Sequence, residues 1–337
     1  MSTELLVQEP LSQARVVAGK TFPLPLGPAS RPCSTDQLTA WVAAHRERFF
    51  ERVMQHGAVL LRGFAIDTPD DFAAFVDSLG LDNMPYVGGA AVRNRVSGDR
   101  VLTANESPPS EPIPFHHEMS QVPAPPDYIV FYCDIPPAEG GETPIILSNE
   151  VYRFFHQNHP EFLRRVEELG VRYIRIMPAE DDPSSAIGRS WKSTYQAESR
   201  AGAEAAMREQ GTSWQWLDNG NLRTVTAALP AIRSESRTGQ KTFFNSMIAA
   251  YTGWVDSRND PTKAIELGDG SPVDHDAMMA IAAYMKEHCV AFPWQKGDVL
   301  VVDNRLTMHS RNPFTPPRRI LASVARQRHG DRAMAAG

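Results

Sequence analysis

From Tyr128 onward the chain is written in short runs of β-branched and aromatic residues set apart by turn residues, at 128–133, 143–147, 171–176, 241–245, 299–302 and 320–324. Helical stretches do not alternate with these runs in the rhythm that a parallel sheet needs, so the pattern predicts an antiparallel sandwich or barrel. The expected fold is mostly β with helical additions, a double-stranded β-helix (jelly roll) core flanked by helices. A chain of 337 residues is within reach of one such domain. We therefore expect a single domain over 1–337, with an N-terminal helical scaffold over about 30–100 and the jelly-roll core over about 101–330.

The scaffold is legible in its own terms. Ser34 with Gln37 forms a capping box, and Leu38, Trp41, Val42 and Phe49 then recur at helical spacing up to Gly57, predicting one amphipathic helix. Residues 58–61 read as a short buried strand. Thr68-Pro69 opens another helix, with Phe72, Phe75, Val76 and Leu79 as its buried stripe and Gly80 as its stop. A polar stretch over 178–224 interrupts the β pattern, with a predicted helix over 195–210 and Trp191, Trp214 and Trp216 in its flanks. It reads either as a solvated insertion or as a lid whose aromatics close over a substrate. A further helix is predicted over 276–288, and a frayed tail after Arg326.

A formal net charge of −6 and the lack of any dense Lys/Arg run argue against nucleic acid or an anionic membrane as the main partner. A small-molecule substrate fits better. The 3 cysteines, Cys33, Cys133 and Cys289, lie far apart without CxxC spacing, which predicts reduced side chains rather than a disulfide framework or a zinc ribbon. The N-terminus lacks a basic segment followed by an unbroken apolar one, and no apolar run approaches membrane-spanning length, so the expectation is a cytoplasmic enzyme.

The chemistry concentrates in Phe115-His116-His117-Glu118. In extended chain, residues two apart point the same way, so His116 and Glu118 converge while His117 faces away. An HxE triplet alone is a weak signal, since most such triplets are solvated loops. Its context is stronger: the apolar run 299–302 leads through Asp303-Asn304-Arg305 to His309, a third donor. Arg319 then starts another β run, and an arginine fork turned into a barrel needs a carboxylate partner, from the protein or from a ligand. Two histidines and a carboxylate leave three coordination positions open, which suits a non-haem Fe(II) centre binding a 2-oxo acid and O₂. A metal-dependent hydrolase is the competing reading. It leaves the arginine unexplained, and the HExxH helix of zinc proteases is absent.

Leu61-Arg62-Gly63-Phe64, His116-x-Glu118, Gly140-Gly141-Glu142-Thr143 and the segment from Asp303 through His309 to Arg318-Arg319 occur in the order found in one enzyme superfamily. The chain resembles the taurine dioxygenase and clavaminate synthase-like oxygenases, which use Fe(II), 2-oxoglutarate and O₂. That resemblance implies His116, Glu118 and His309 as catalytic iron ligands, with Thr143 and Arg319 holding the distal carboxylate of 2-oxoglutarate. Taurine dioxygenase grips its sulfonate with an arginine placed four positions after the cosubstrate arginine; counted from Arg319 that position is Ser323, which argues against a taurine-like substrate. Relatives that chlorinate replace the metal carboxylate with a small residue, whereas Glu118 is retained.

Glu rather than Asp in the triad, and Asn105-Glu106-Ser107-Pro108 ahead of it, resemble the clavaminate synthase-like branch. The resemblance implies hydroxylation of an amino acid or amino-acid-derived small molecule, free or presented by a carrier protein, as in natural-product biosynthesis, with CO₂ and succinate as coproducts. Desaturation or cyclisation with the same cofactors is the alternative outcome, and a non-catalytic binding or sensor protein is the alternative class. Asn245, Asn105, Trp191, Lys192 and Tyr195 are candidate substrate contacts, against readings as a turn cap for Asn245 and surface packing for the lid residues.

Overall fold

A strand that is apolar at every position is stable only where both of its faces are covered. Residues 299–302 of strand Val299–Asp303 are such a run, and the strand lies in the interior of a large sheet in this computed structural model, which describes residues 4–328. The tail expected after Arg326 falls outside the described residues from position 329 on. The sheet runs Leu6–Gln8, Leu24–Pro28, Ala58–Leu61, Val299–Asp303, Tyr128–Ile135, Arg319–Arg326, Val101–Thr103 and Arg95–Ser97, with Asp82–Asn83 also joined to Arg319–Arg326. Its pairs are antiparallel except for Leu24–Pro28 with Ala58–Leu61.

Alternation along these strands divides the core in two. One face carries Val59, Leu61, Val130, Tyr132, Val299, Val301 and Leu321, covered by the scaffold residues Leu38, Phe49, Phe72 and Phe75. The other carries Leu60, Ile129, Phe131, Leu300, Val302, Ile320 and Ala322, which pack with Ile145 of a second sheet. That sheet is small, ordered Ile145–Leu147, Thr307–Arg311, Ile113–His116, and it contains two of the three expected metal ligands.

The scaffold helix expected up to Gly57 is two helices, Thr35–Ala44 and Arg46–His56, separated at His45 (φ −129°, ψ 32°), whose ring stacks on Trp41. Leu38, Trp41, Val42, Phe49 and Val53 remain on one buried face across the break, so burial periodicity does not register it. The capping box forms: Gln37 N donates to Ser34 Oγ and Ser34 N to Gln37 Oε1. Gly57 ends the second helix at φ 72°, where a Cβ would stand 2.4 Å from the Leu147 side chain. Arg62 of the Leu-Arg-Gly-Phe motif pairs with buried Asp298 through Nε (2.9 Å) and Nη2 (2.7 Å), tying the scaffold to the loop before Val299–Asp303.

The 178–224 insertion is more firmly built than a solvated loop. Ser213–Trp216 and Leu222–Val225 add to Val171–Met177, which pairs on its other side with Ile265–Leu267. The helix expected over 195–210 forms over Arg200–Glu209, preceded by a separate short helix, Trp191–Tyr195, that Gln196 ends in the left-handed region (φ 50°). The other expected helix is His275–His288, capped by Asp274. All three cysteines are free, and among the described residues no helix is long and apolar enough to cross a membrane.

Candidate functional site

Antiparallel register delivers the first two donors. His309 on Thr307–Arg311 stands opposite His116 on Ile113–His116, and their rings lie 4.3 Å apart by centroid. Glu118 follows His116 by two residues, and the chain turns sharply after it at Met119 (φ 52°). One donor atom from each of His116, Glu118 and His309 falls within 4.8 Å of the other two. His309 Nε2 lies 3.5 Å from Glu118 Oε2, and its buried Nδ1 has no hydrogen-bond partner. His116 Nδ1 is 2.9 Å from the Pro114 carbonyl, which assigns its proton to Nδ1 and leaves the Nε2 lone pair free.

Local electrostatics favour the metal-binding forms. Burial and the neighbouring His309 lower the His116 pKa to about 4, so its imidazole is neutral at neutral pH. For Glu118, burial pushes the pKa upward, but Arg93 and the two imidazoles outweigh it and hold the carboxyl well below the usual range. Arg93 Nη2 lies 3.0 Å from both Glu118 oxygens, and the guanidinium rests over the Tyr86 ring at 4.2 Å.

His117 does face the other way, fully buried, with Nδ1 hydrogen-bonded to the Asn304 carbonyl and its ring stacked on Phe244. Asn304, the second residue of Asp303-Asn304-Arg305, holds Glu118 in place. Its Oδ1 accepts from Glu118 N (2.7 Å), while Nδ2 donates to the carbonyls of Glu118 (3.0 Å) and Pro126 (2.9 Å).

Two cavities meet at this cluster. One lies between the sheets, with Phe131, Thr143, His309, Arg311 and Arg318 in its wall. The other is bounded by Tyr86, Glu118, Ala186, Ile187 and Trp254. Arg93, Asn105 and His116 line both.

Arg319 requires a correction. Its side chain is 46% exposed and pairs with Asp134 on the outside of the sheet. Arg318 is the arginine in the cavity wall, where its Nε donates to the Gly141 carbonyl (2.9 Å). Burial, reinforced by Arg311, lowers the Arg318 pKa to about 10, which leaves it charged at neutral pH. Strand alternation is the reason: Ile320 faces the cavity, so the positions two apart from it share its side and Arg319 takes the other. The parity could not be read from 320–325, because nearly every residue there is apolar or small and the strand is buried on both faces. Arg311, also in this wall, directs Nη1 and Nη2 to the carbonyls of Ser107, Pro108 and Glu111.

The candidate substrate contacts separate clearly. Asn105 lines both cavities. Asn245 is completely buried outside them: it accepts from His117 N through its carbonyl, donates to Ala231 O and accepts from Met247 N, which makes it a brace for the ligand segment. Trp191 packs edge-on against Trp216 in a separate apolar cluster, and Lys192 pairs with Glu180 at the surface. Neither lines the cavity beside Glu118; the insertion reaches it with Ala186 and Ile187 instead. Tyr195 lines a smaller polar pocket next to that cavity. Arg93 was not singled out from sequence, because it sits in an irregular segment between Met84 and Arg95 without periodicity or motif.

Comparison with known proteins agrees with this geometry. The family model described as taurine catabolism dioxygenase TauD, TfdA family matches residues 20–325. A clavaminate synthase-like protein of Arabidopsis thaliana is 45% identical over 331 residues, covering 97% of this chain and 100% of that one. The dapdiamide synthesis protein DdaC of Enterobacter agglomerans is 27% identical over 285 residues, covering 81% and 83%. Among solved structures, PvcB, described as an Fe, alpha-ketoglutarate dependent oxygenase from an isonitrile synthetic pathway, aligns with a TM-score of 0.54 at 16% identity, covering 98% of this chain and 94% of its own.

Proposed function

Because the chain belongs to the TauD/TfdA family of Fe(II)- and 2-oxoglutarate-dependent dioxygenases, we propose that it hydroxylates an unactivated C–H bond of an amino-acid-derived small molecule. The observation that carries this reading is the gathering of His116, Glu118 and His309 donors within 4.8 Å where the two cavities meet. Two imidazoles and one ionised carboxylate suit Fe(II), and they leave positions for a chelating 2-oxo acid and O₂. When bound, the iron with its cosubstrate supplies the oxidising power to break the C–H bond, giving CO₂ and succinate as coproducts.

The remaining work falls to the chain. Arg318 and Thr143 would hold the distal carboxylate of 2-oxoglutarate in the cavity between the sheets, with Trp294 Nε1 orienting the Thr143 hydroxyl at 3.2 Å. Phe131, edge-on to His309 at 5.2 Å, keeps water from that side of the centre. The cavity beside Tyr86 and Trp254 would hold the substrate, with Asn105 at its boundary. The two facing sheets are read as a double-stranded β-helix within one domain.

The position four residues on from Arg318 is Ala322, so a taurine-like sulfonate grip is missing from that strand as well. The names of a clavaminate synthase-like relative and of a dapdiamide synthesis protein support an amino-acid-derived substrate, free or carrier-tethered.

The test is anaerobic Fe(II) titration with 2-oxoglutarate, following the weak visible charge-transfer band of the chelate in wild type and His309→Ala. A band in wild type that is lost in the variant upholds the assignment. A folded, metal-binding wild type without a band removes it and leaves a binding protein or a hydrolase.

A further inference from the structure

The polar pocket that abuts the proposed substrate cavity is built around a buried cation with almost nothing to pair with. Arg175, on Val171–Met177, is 6% exposed, and its Nη2 donates to the Arg189 carbonyl (2.6 Å). Its Nε is buried without a partner, and no ion pair involves it among the described residues. Burial lowers its pKa to about 10, so the guanidinium is charged at neutral pH. Neighbouring Arg189 is different: its guanidinium is used up on the carbonyls of Tyr86, Gly89 and Ser193 and on Ser193 Oγ. A buried charge without a partner is strongly unfavourable, so the site favours an anion that would supply one.

The rest of the wall combines hydroxyl and amide groups with the apolar Val122, Met177 and Trp254. Thr194 is 3% exposed and its Oγ1, like Arg175 Nε, has no partner. Tyr195, Thr224 and Gln210 line the same space. Burial raises the Tyr195 pKa to about 12, so it is a neutral phenol able to donate. Gln121 and Trp254 line this pocket and the cavity beside Glu118 alike, so the two share a wall. Among the described residues the wall holds one cation and no carboxylate, with Asp256 acting on Arg175 from outside it, which matches a monoanion. A phosphate dianion would leave a charge uncompensated.

We propose that this pocket is a subsite for a carboxylate at the far end of the substrate, gripped by Arg175 and Thr194 while the other end lies beside Glu118. The inference rests on the oxygenase reading of the neighbouring cavity and adds to it a substrate class: a small molecule bearing a carboxylate remote from the oxidised carbon.

The test uses ¹³C-carboxyl acetate as probe, followed by NMR line broadening on the metal-free protein in wild type, Arg318→Met, Arg175→Lys and Thr194→Val, with inorganic phosphate titrated in parallel. Arg318→Met removes the cosubstrate arginine and is expected to keep the saturable acetate binding. Arg175→Lys and Thr194→Val are expected to weaken it by about tenfold, as loss of a hydrogen bond to a charged group does. Thr194→Val preserves shape and charge, so it stays informative if the arginine variant misfolds. Acetate binding indifferent to both substitutions overturns the subsite. Binding of phosphate but not acetate through Arg175 overturns the carboxylate assignment in favour of a phosphate group. The Fe(II)–2-oxoglutarate band on the same samples separates the two ideas: band present with Arg175-independent acetate rejects only the subsite, and band absent with Arg175-dependent acetate rejects only the oxygenase reading.

Discussion

The carboxamide of Asn304 grips the backbone of Glu118 from both sides, accepting from its N–H at 2.7 Å and donating to its carbonyl at 3.0 Å. The same loop thus fixes one donor of the cluster directly and leads, five residues on, to another, His309. Asn304 is fully buried, so no water replaces these bonds when they are cut. We expect Asn304→Ala to weaken Fe(II) binding by roughly 10- to 100-fold, as loss of an orienting partner behind a metal ligand does. Competition with a chelating metal indicator, alongside circular dichroism to establish folding, measures this. Unchanged iron affinity in a folded variant would remove the orienting role.

Arg318 and Arg319 should part company under substitution. Arg318→Met is expected to raise the apparent Kd for 2-oxoglutarate at the iron-loaded protein by roughly 10- to 100-fold, from loss of a charge-assisted hydrogen bond in a desolvated cavity. Arg319→Met, which loses a half-exposed pair with Asp134, should leave that Kd within about twofold and cost at most about 1 kcal/mol of stability. Titration of the charge-transfer band reads both. The reverse ranking would restore Arg319 as the cosubstrate anchor.

Asp303 is completely buried between Arg237 Nη1 (2.7 Å) and Arg305 Nε (3.2 Å). Burial raises its pKa, yet the two guanidinium groups win and hold the carboxyl ionised, below its ordinary value. Removing the shared anion leaves two partly buried cations facing each other, so Asp303→Ala is expected to destabilise the fold by roughly 3 to 5 kcal/mol. Urea unfolding is the measurement. A loss under about 1 kcal/mol would mean that the arginines find other partners.

Acid sensitivity should come from the buried histidines. Burial lowers His116 to about 4 and His117 to about 3, from an ordinary value of 6.5. Below pH 6.5 the unfolded chain takes up protons that the folded chain refuses, so the stability present above 6.5 is lost as pH falls toward 4. The slope approaches about 1.4 kcal/mol per pH unit for each histidine. In metal-free protein, His117→Phe is expected to flatten this fall between pH 6.5 and 4.5, above the range where most carboxylates titrate. An unchanged slope in chemical denaturation across that window would place the acid sensitivity elsewhere.

The sequence by itself determined the elements and the donor set. Apolar runs at 128–133, 299–302 and 320–324 are strands because they are short, bounded by turn residues and rich in β-branched and aromatic side chains that pack well on a pleated surface, and the His116-x-Glu118 spacing with a histidine past an apolar strand carries its chemistry in local terms. What local spacing cannot carry is which face of a doubly buried strand looks inward, and there only the packing of Ile320 against Phe131 chose Arg318 over Arg319. It is equally silent on residues that meet only through the whole fold. Arg93 meets Glu118, and Arg175 comes to line one pocket with Thr194, because folding brings distant segments together, and Trp191 and Lys192 leave the cavity for the same reason. Periodicity encodes the partners of a backbone, whereas the partners of a buried charge are set by the whole fold that desolvates it.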